Sequence, residues 1–296
     1  MHINYLNDEQ REQFLTRGHI VLHDCFSPDF ARDWTDLAFV RLGYDPDDKA
    51  TWTQPRVHMG SENTVEVRDF APDAWAAMCD LCGGEERVSQ PYKWSDGFIC
   101  NFGIGADKPW QAPSAQVPGW HKDGDFFRHF LDSPEQGLLT LVVWSDVIHQ
   151  GGATFVACDS VPVVARFLAQ HPEGLGPHQF DFRDLIGQCH DFIEVTGKPG
   201  DVVLLHPYVL HAASQNVRGV ARFITNPPIH LKQPMNFNRD NPDDFSPIEQ
   251  SVLRGLEVER LDFVPQAPRE RFTPERVKQE HKMAAQQKAR LAAANG

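Results

Sequence analysis

The chain has 296 residues, with 28 Lys and Arg against 41 Asp and Glu and a formal net charge of −13. That length buries a full core in one barrel or sandwich domain over residues 1–296, and the acidic balance argues against a surface for nucleic acid or anionic membrane. No apolar run approaches the roughly 20 residues of a bilayer span, Met1–Tyr5 lacks the charged and apolar regions of a leader, and the six cysteines are scattered, so a cytoplasmic protein with free core thiols is expected.

Asn7-Asp8-Glu9-Gln10 is a capping box, and the helix it opens closes at Gly18 after Phe14 and Leu15. His19–His23 alternates as a first strand. Ser27-Pro28-Asp29 gives an N-cap with proline in the first turn, for a helix through Trp34, Leu37, Phe39 and Leu42 to Gly43. Residues 44–64 are polar and turn-rich and read as a lid or substrate-side loop, with His58 at the surface. Residues 72–82 read as a helix stopped by Gly83; its Cys79 and Cys82 have CxxC form but no second pair, so neither zinc nor a redox role is expected of them.

Asp96–Gly103 reads as a strand ending in glycine, where Asn101 either caps the strand end or reaches a ligand. Residues 104–118 would form a mouth to the stretch that follows, Gly119–Phe127. On a strand, residues i and i+2 share a face, so His121 and Asp123 converge while Lys122 turns out. An imidazole and a carboxylate so placed are two legs of a two-His-one-carboxylate triad for Fe(II), and the third leg is a distant histidine. Phe126, Phe127, His129 and Phe130 follow, either as core or as the wall of an apolar substrate pocket.

Leu138–Val147 is a continuous apolar run, expected to be a strand buried on both faces. Gly151–Val156 adds a glycine turn and a strand, and residues 161–190 hold one helix and an insert whose His171, His178 and His190 lie among turn residues. Pro199-Gly200-Asp201 feeds a buried strand, Val202–Leu205, after which come His206 and His211. A turn at Asn216–Gly219 separates Leu210–Gln215 from Val220–Thr225, which suggests a hairpin bringing His211 and Arg222 together. A guanidinium in so apolar a strand needs a partner, and a dicarboxylate held bidentately would be one. The segment from Pro227 to Pro247 is a loop of lid character. A short helix over 248–256 follows, and a last one from Thr273 to about Ala294 carries an apolar stripe too thin for a core helix, so it frays or packs on a second subunit in a homo-oligomer.

The order His121-x-Asp123, then His211, then Arg222 eleven positions on, with the Phe14–Leu22 segment and Gly151–Thr154, resembles the phytanoyl-CoA dioxygenase-like branch of the Fe(II)- and 2-oxoglutarate-dependent oxygenases. The resemblance covers residues 5–230 and leaves 231–296 as a loop and helical extension. It implies a mainly β fold with flanking helices, a double-stranded β-helix of the jelly-roll, cupin-like kind, in agreement with the many short strands and turns. It implies Fe(II), 2-oxoglutarate and O2, with His121, Asp123 and His211 on the metal, since His211 rather than His206 has the arginine at the matching distance. Arg222 would hold the far carboxylate, with further co-substrate contacts from Asn101 and Thr140; Leu141 stands where the family has tryptophan, and its histidine after Asp159-Ser160 is absent. The implied reaction releases succinate and CO2 and oxidises a small-molecule substrate. A small or mid-sized apolar metabolite is expected from Phe126, Phe127 and Trp144. A zinc hydrolase on a cupin-like barrel and a non-catalytic binding protein are the rival readings; the first leaves Arg222 unexplained, the second an intact triad.

Overall fold

The local signals near the N-terminus act where they stand. In the computed structural model, which describes residues 5–294, helix α1 (Asp8–Arg17) is opened by the reciprocal Asn7–Gln10 capping box and closed by Gly18 in the left-handed region, and strand β1 (His19–Leu22) follows directly. Helix α2 (Pro28–Leu42) starts on the Ser27 hydroxyl and ends at Gly43. Next come strands β2 (Arg56–His58) and β3 (Thr64–Glu66), helices α3 (Val67–Phe70) and α4 (Pro72–Cys82), and strands β4 (Lys93–Ser95), β5 (Ile99–Asn101), β6 (Leu138–Val143) and β7 (Thr154–Ala157). Helices α5 (Ser160–Ala169) and α6 (Phe182–Ile186) precede strands β8 (Phe192–Val195), β9 (Val202–Leu205), β10 (Leu210–Ala213), β11 (Arg222–Thr225) and β12 (Pro228–Ile229), and helices α7 (Pro247–Leu256) and α8 (Glu275–Ala294) end the chain.

Among the described residues the strands form one seven-stranded antiparallel sheet, β1-β9-β6-β11-β5-β2 with β12 also on β6, a three-stranded sheet β10-β7-β8, and the small β3-β4 pair. The two larger sheets face each other as a jelly roll with helices packed outside. Strand alternation sorts the main sheet into two faces. On the outer face Trp144, just past β6, stacks on Trp34 of α2 with ring centroids 4.9 Å apart, and Phe223 meets Phe39 edge-on at 5.3 Å. On the inner face lie Leu139, Ile99 and, by alternation from Phe223, Arg222. Among the described residues no helix is long and apolar enough to cross a membrane.

Four expectations change. Part of the 44–64 loop is strand β2, an edge of the main sheet paired with β5. His211 and Arg222 are not on one hairpin: β10 belongs to the small sheet and β11 to the large one, so the turn at 216–219 crosses between sheets and the two residues lie on different sheets. The stretch from 235 to 256 packs on the core rather than forming a lid, because Met235, Phe237 and Phe245 are buried and α7, capped by the Ser246–Glu249 box, packs its Ile248, Val252 and Leu253 inward. Finally, α8 docks on α2 of its own chain: buried Gln287 accepts from Arg41 Nη2 at 2.8 Å, and Arg290 donates to the carbonyls of Arg41 and Leu42 at 3.0 and 2.9 Å, closing the C-terminal end of α2.

Candidate metal centre

His211 sits on β10, and the His121 backbone joins that strand's free edge by a reciprocal pair of hydrogen bonds, N to O 3.0 Å each way. The His-x-Asp segment thereby becomes one more rung of the small sheet, and the two imidazoles come to 4.4 Å between centroids. Asp123 Oδ1 lies 3.4 Å from His121 Nε2 and 3.5 Å from His211 Nε2. Adjacent ligands held about 2.1 Å from an octahedral ion are about 3 Å apart, so the three atoms need only a small inward movement to share one. Among the described residues this is the one group of His, Cys, Asp and Glu side chains gathered closely enough to hold a metal.

Each histidine has its tautomer set by its own backbone. His121 Nδ1 donates to Gly119 O at 2.7 Å and His211 Nδ1 to Val209 O at 3.2 Å; a carbonyl only accepts, so each ring's Nε2 is left to face Asp123. Asn226 Nδ2 donates to Asp123 Oδ2 at 2.8 Å, which turns the other oxygen toward the imidazoles. Burial works to raise the Asp123 carboxyl, but the charge and hydrogen bonds of His211 and His121 outweigh it and hold it well below the usual range. Burial likewise lowers His121 and is outweighed by the hydrogen bond and charge of Asp123, so its basicity rises. The carboxylate is thus ionised wherever a metal would be bound.

Lys122 turns away from the ligand pair as alternation requires, yet into the interior rather than to solvent. Its Nζ lies 3.0 Å from His129 Nδ1 and 3.3 Å from Gln136 Oε1. Burial pushes it down to about 7 against the pull of Asp123 and Glu135. His129 gives its Nε2 proton to Gly124 O at 2.8 Å, so it is a structural histidine.

Arg222 is 2% exposed, and neither Nε nor Nη1 has a hydrogen-bond partner among the described residues. Burial pushes the guanidinium down to about 10; the Cys100 thiol opposes this and the Arg56 charge adds to it. A buried cation facing a second cation, with no acid paired to it, is costly unless a ligand supplies the anion.

No family model and no curated protein matches this chain. Solved structures do resemble it. It is similar to EctD from S. alaskensis, solved with 2-oxoglutarate and 5-hydroxyectoine (17% identity, covering 78% of each chain, TM-score 0.45). It is also similar to the epimerase SnoN in complex with Fe3+, alpha ketoglutarate and nogalamycin RO (15%, 76% of this chain and 82% of that one, 0.44), and to AviO1 from Streptomyces viridochromogenes Tue57 (16%, 75% and 93%, 0.42).

A cavity of about 420 Å³ opens beside the triad, lined by His121 and Asp123 with Ile99, Leu139, Asn226 and Phe126 among others. Of the residues expected to shape a substrate pocket, Phe126 is on its wall and two are not. Phe127 is fully buried against His129, with centroids 4.2 Å apart, and Trp144 lies on the outer face, its Nε1 donating to Thr225 Oγ1 at 3.0 Å. Thr140 shares that outer face and donates its hydroxyl to Pro227 O at 2.7 Å, which turns its side chain away from the cavity. Asn101 faces inward, but its amide is engaged at the strand end: Nδ2 donates to Ser214 O at 3.3 Å and Oδ1 accepts from Ile104 N at 3.1 Å. The capping alternative is the one seen. His206, fully buried, gives its Nε2 proton to Ile248 O at 3.2 Å and accepts from Tyr208 N at 3.1 Å, away from the triad. Residues 104–118 do not line the cavity; Gln215 ties that segment down through Gly105 O and Pro109 O.

Among the cavity residues, Asn226 and Arg56 escaped the sequence reading, and His58, expected at the surface, is on the cavity wall. Asn226 has no local signal beyond its place at the end of β11. Arg56 and His58 lie on β2, whose three residues are too few for a visible alternation in a turn-rich stretch.

Proposed function

We propose that this protein is an Fe(II)- and 2-oxoglutarate-dependent oxygenase that oxidises a small or mid-sized organic metabolite, hydroxylation being the reaction its ligand set favours. One observation carries the reading: a buried guanidinium, Arg222, with two nitrogens unpartnered among the described residues, lies on the inner face of the sheet that also walls the cavity beside the His121–Asp123–His211 cluster. A zinc hydrolase would use the same three donors and leave that guanidinium without an anion.

His121 and His211 offer Nε2 and Asp123 offers Oδ1 to the metal, with Gly119, Val209 and Asn226 fixing their orientation. Arg222 offers its fork to the far carboxylate of 2-oxoglutarate, an interaction worth about 2–5 kcal/mol when a buried charge pair is truncated. When bound, iron, 2-oxoglutarate and O2 supply the oxidising power, with succinate and CO2 as co-products. The chain's own part is ligation, orientation and exclusion of water, for which Leu139 and Ile99 provide apolar wall. Related iron halogenases carry a small residue where Asp123 stands; the carboxylate here favours oxidation without halogen transfer.

The test is anaerobic titration of the apoprotein with Fe(II) and then 2-oxoglutarate. A weak visible charge-transfer band that forms with the wild type and is lost in His211→Ala is expected. Bound metal with no band would remove the oxygenase reading.

A further inference from the structure

The expected substrate was apolar, and the cavity wall argues otherwise. Strands β2, β5 and β11 are adjacent, and their register sets Arg56, Asn101 and Arg222 in one row across the sheet. Neighbouring strands are about 4.8 Å apart, so the two arginine backbones are roughly 10 Å from each other with Asn101 between. Arg222 lies behind the cavity, while Arg56 is exposed on the cavity wall itself at the sheet's edge. Among the described residues no side chain forms an ion pair or hydrogen bond with Arg56. Its guanidinium is close enough to the centre that Asp123 acts on it and that it acts in turn on His121 and Arg222.

Charge decides what this second cation is for. If the function proposed above holds, on which this inference rests, the metal's two charges and Arg222 are matched by Asp123 and the two carboxylates of 2-oxoglutarate. Beyond that balance the cavity is also lined by Arg56, Lys122 and Asp125, and Arg56 has no ion-pair or hydrogen-bond partner among the described residues. An unpaired guanidinium on the wall of a small cavity recognises an anion bidentately, and it would be misplaced against a purely hydrocarbon ligand.

We infer that Arg56 is the anchor for a carboxylate or phosphate group on the oxidised substrate, so that the substrate is a small anion bound between Arg56 and the metal centre. Phe126 and Leu139 would line the part of that molecule away from its charge.

The experiment is calorimetric titration of acetate and of inorganic phosphate into zinc-loaded protein, with and without saturating 2-oxoglutarate, alongside titration of 2-oxoglutarate itself. Zinc keeps the measurement free of turnover. With 2-oxoglutarate present, Arg56→Gln should weaken binding of at least one probe tenfold or more and Arg56→Lys less, while 2-oxoglutarate affinity moves less than twofold; the tighter probe identifies the anion. Arg222→Gln should do the reverse. Two results overturn the inference: probe affinities unchanged in Arg56→Gln, or a loss of 2-oxoglutarate affinity in Arg56→Gln as large as in Arg222→Gln, which would assign Arg56 to the co-substrate. Failure of wild type to bind 2-oxoglutarate at all would instead remove the proposed function, and the arm without 2-oxoglutarate would still report whether Arg56 binds an anion.

Discussion

Among the described residues two arginines are almost wholly buried, and their surroundings are opposite. Arg41, on α2, pairs with Asp96 (Nη1 to Oδ2 3.0 Å) and donates to the carbonyls of Asp96 and Gly60 and to Gln287. Among the described residues Arg222, on β11, has no acid paired to it and two nitrogens without an acceptor, against one, Nε, for Arg41. The Arg41 region is a closed frame joining α2, the loop before β5 and α8. The Arg222 region is the same chemistry left open toward the interior. Equal burial with unequal pairing separates a structural arginine from one that a ligand completes.

Breaking the closed frame should have the largest effect on the fold. Arg41→Met leaves Asp96 buried without its partner and should destabilise by about 3–5 kcal/mol, read from the denaturant midpoint with the slope unchanged. An unaltered midpoint would erase the distinction between the two regions.

A smaller effect is expected on the open side, and on metal rather than on folding. Asn226→Ala removes the donor that orients Asp123 and should weaken Fe(II) or Zn(II) affinity about 10–100-fold in chelator competition, with the unfolding midpoint nearly unmoved. A large loss of stability with normal metal affinity would place Asn226 in the frame instead.

The smallest effect concerns His206. Burial pushes His206 down to about 3, whereas an unfolded histidine titrates near 6.5. The folded pKa is depressed, so the stability of the neutral ring is complete above about 6.5 and is lost as pH falls toward 3, where the unfolded chain takes a proton the folded chain refuses. Between pH 7 and pH 5 wild type should lose about 2 kcal/mol more than His206→Gln, whatever the variant's starting stability. Parallel pH profiles would mean that His206 is not the group that titrates.

The clustering of the three side chains and the inward place of Arg222 are legible because their signals are local: a two-residue spacing for His121 and Asp123, a Pro-Gly-Asp turn feeding a buried strand, and a lone cation in an apolar run. The sequence did not say which face of β6 is inward. All six residues of that strand are buried, so the pattern has no polar member to mark the parity, and Thr140 and Trp144 were assigned to the wrong side. The supposed hairpin of His211 and Arg222 failed for a related reason, since a short turn between strands looks alike whether it stays in one sheet or crosses to the facing one. Helix α8 looked unanchored because its main contacts are polar, through Gln287 and Arg290, and hydrophobic periodicity cannot register them.

The central proposal is that Arg222, whose Nε and Nη1 have no partner among the described residues, receives the far carboxylate of 2-oxoglutarate. Thermal unfolding of zinc-loaded wild type and Arg222→Met, each with and without 2-oxoglutarate, tests it most directly. Without ligand the variant should unfold no lower than wild type, because an unpaired buried charge has been removed. Saturating 2-oxoglutarate should raise the wild-type midpoint by binding the folded state and leave the variant where it was. An equal rise in both proteins would contradict the account.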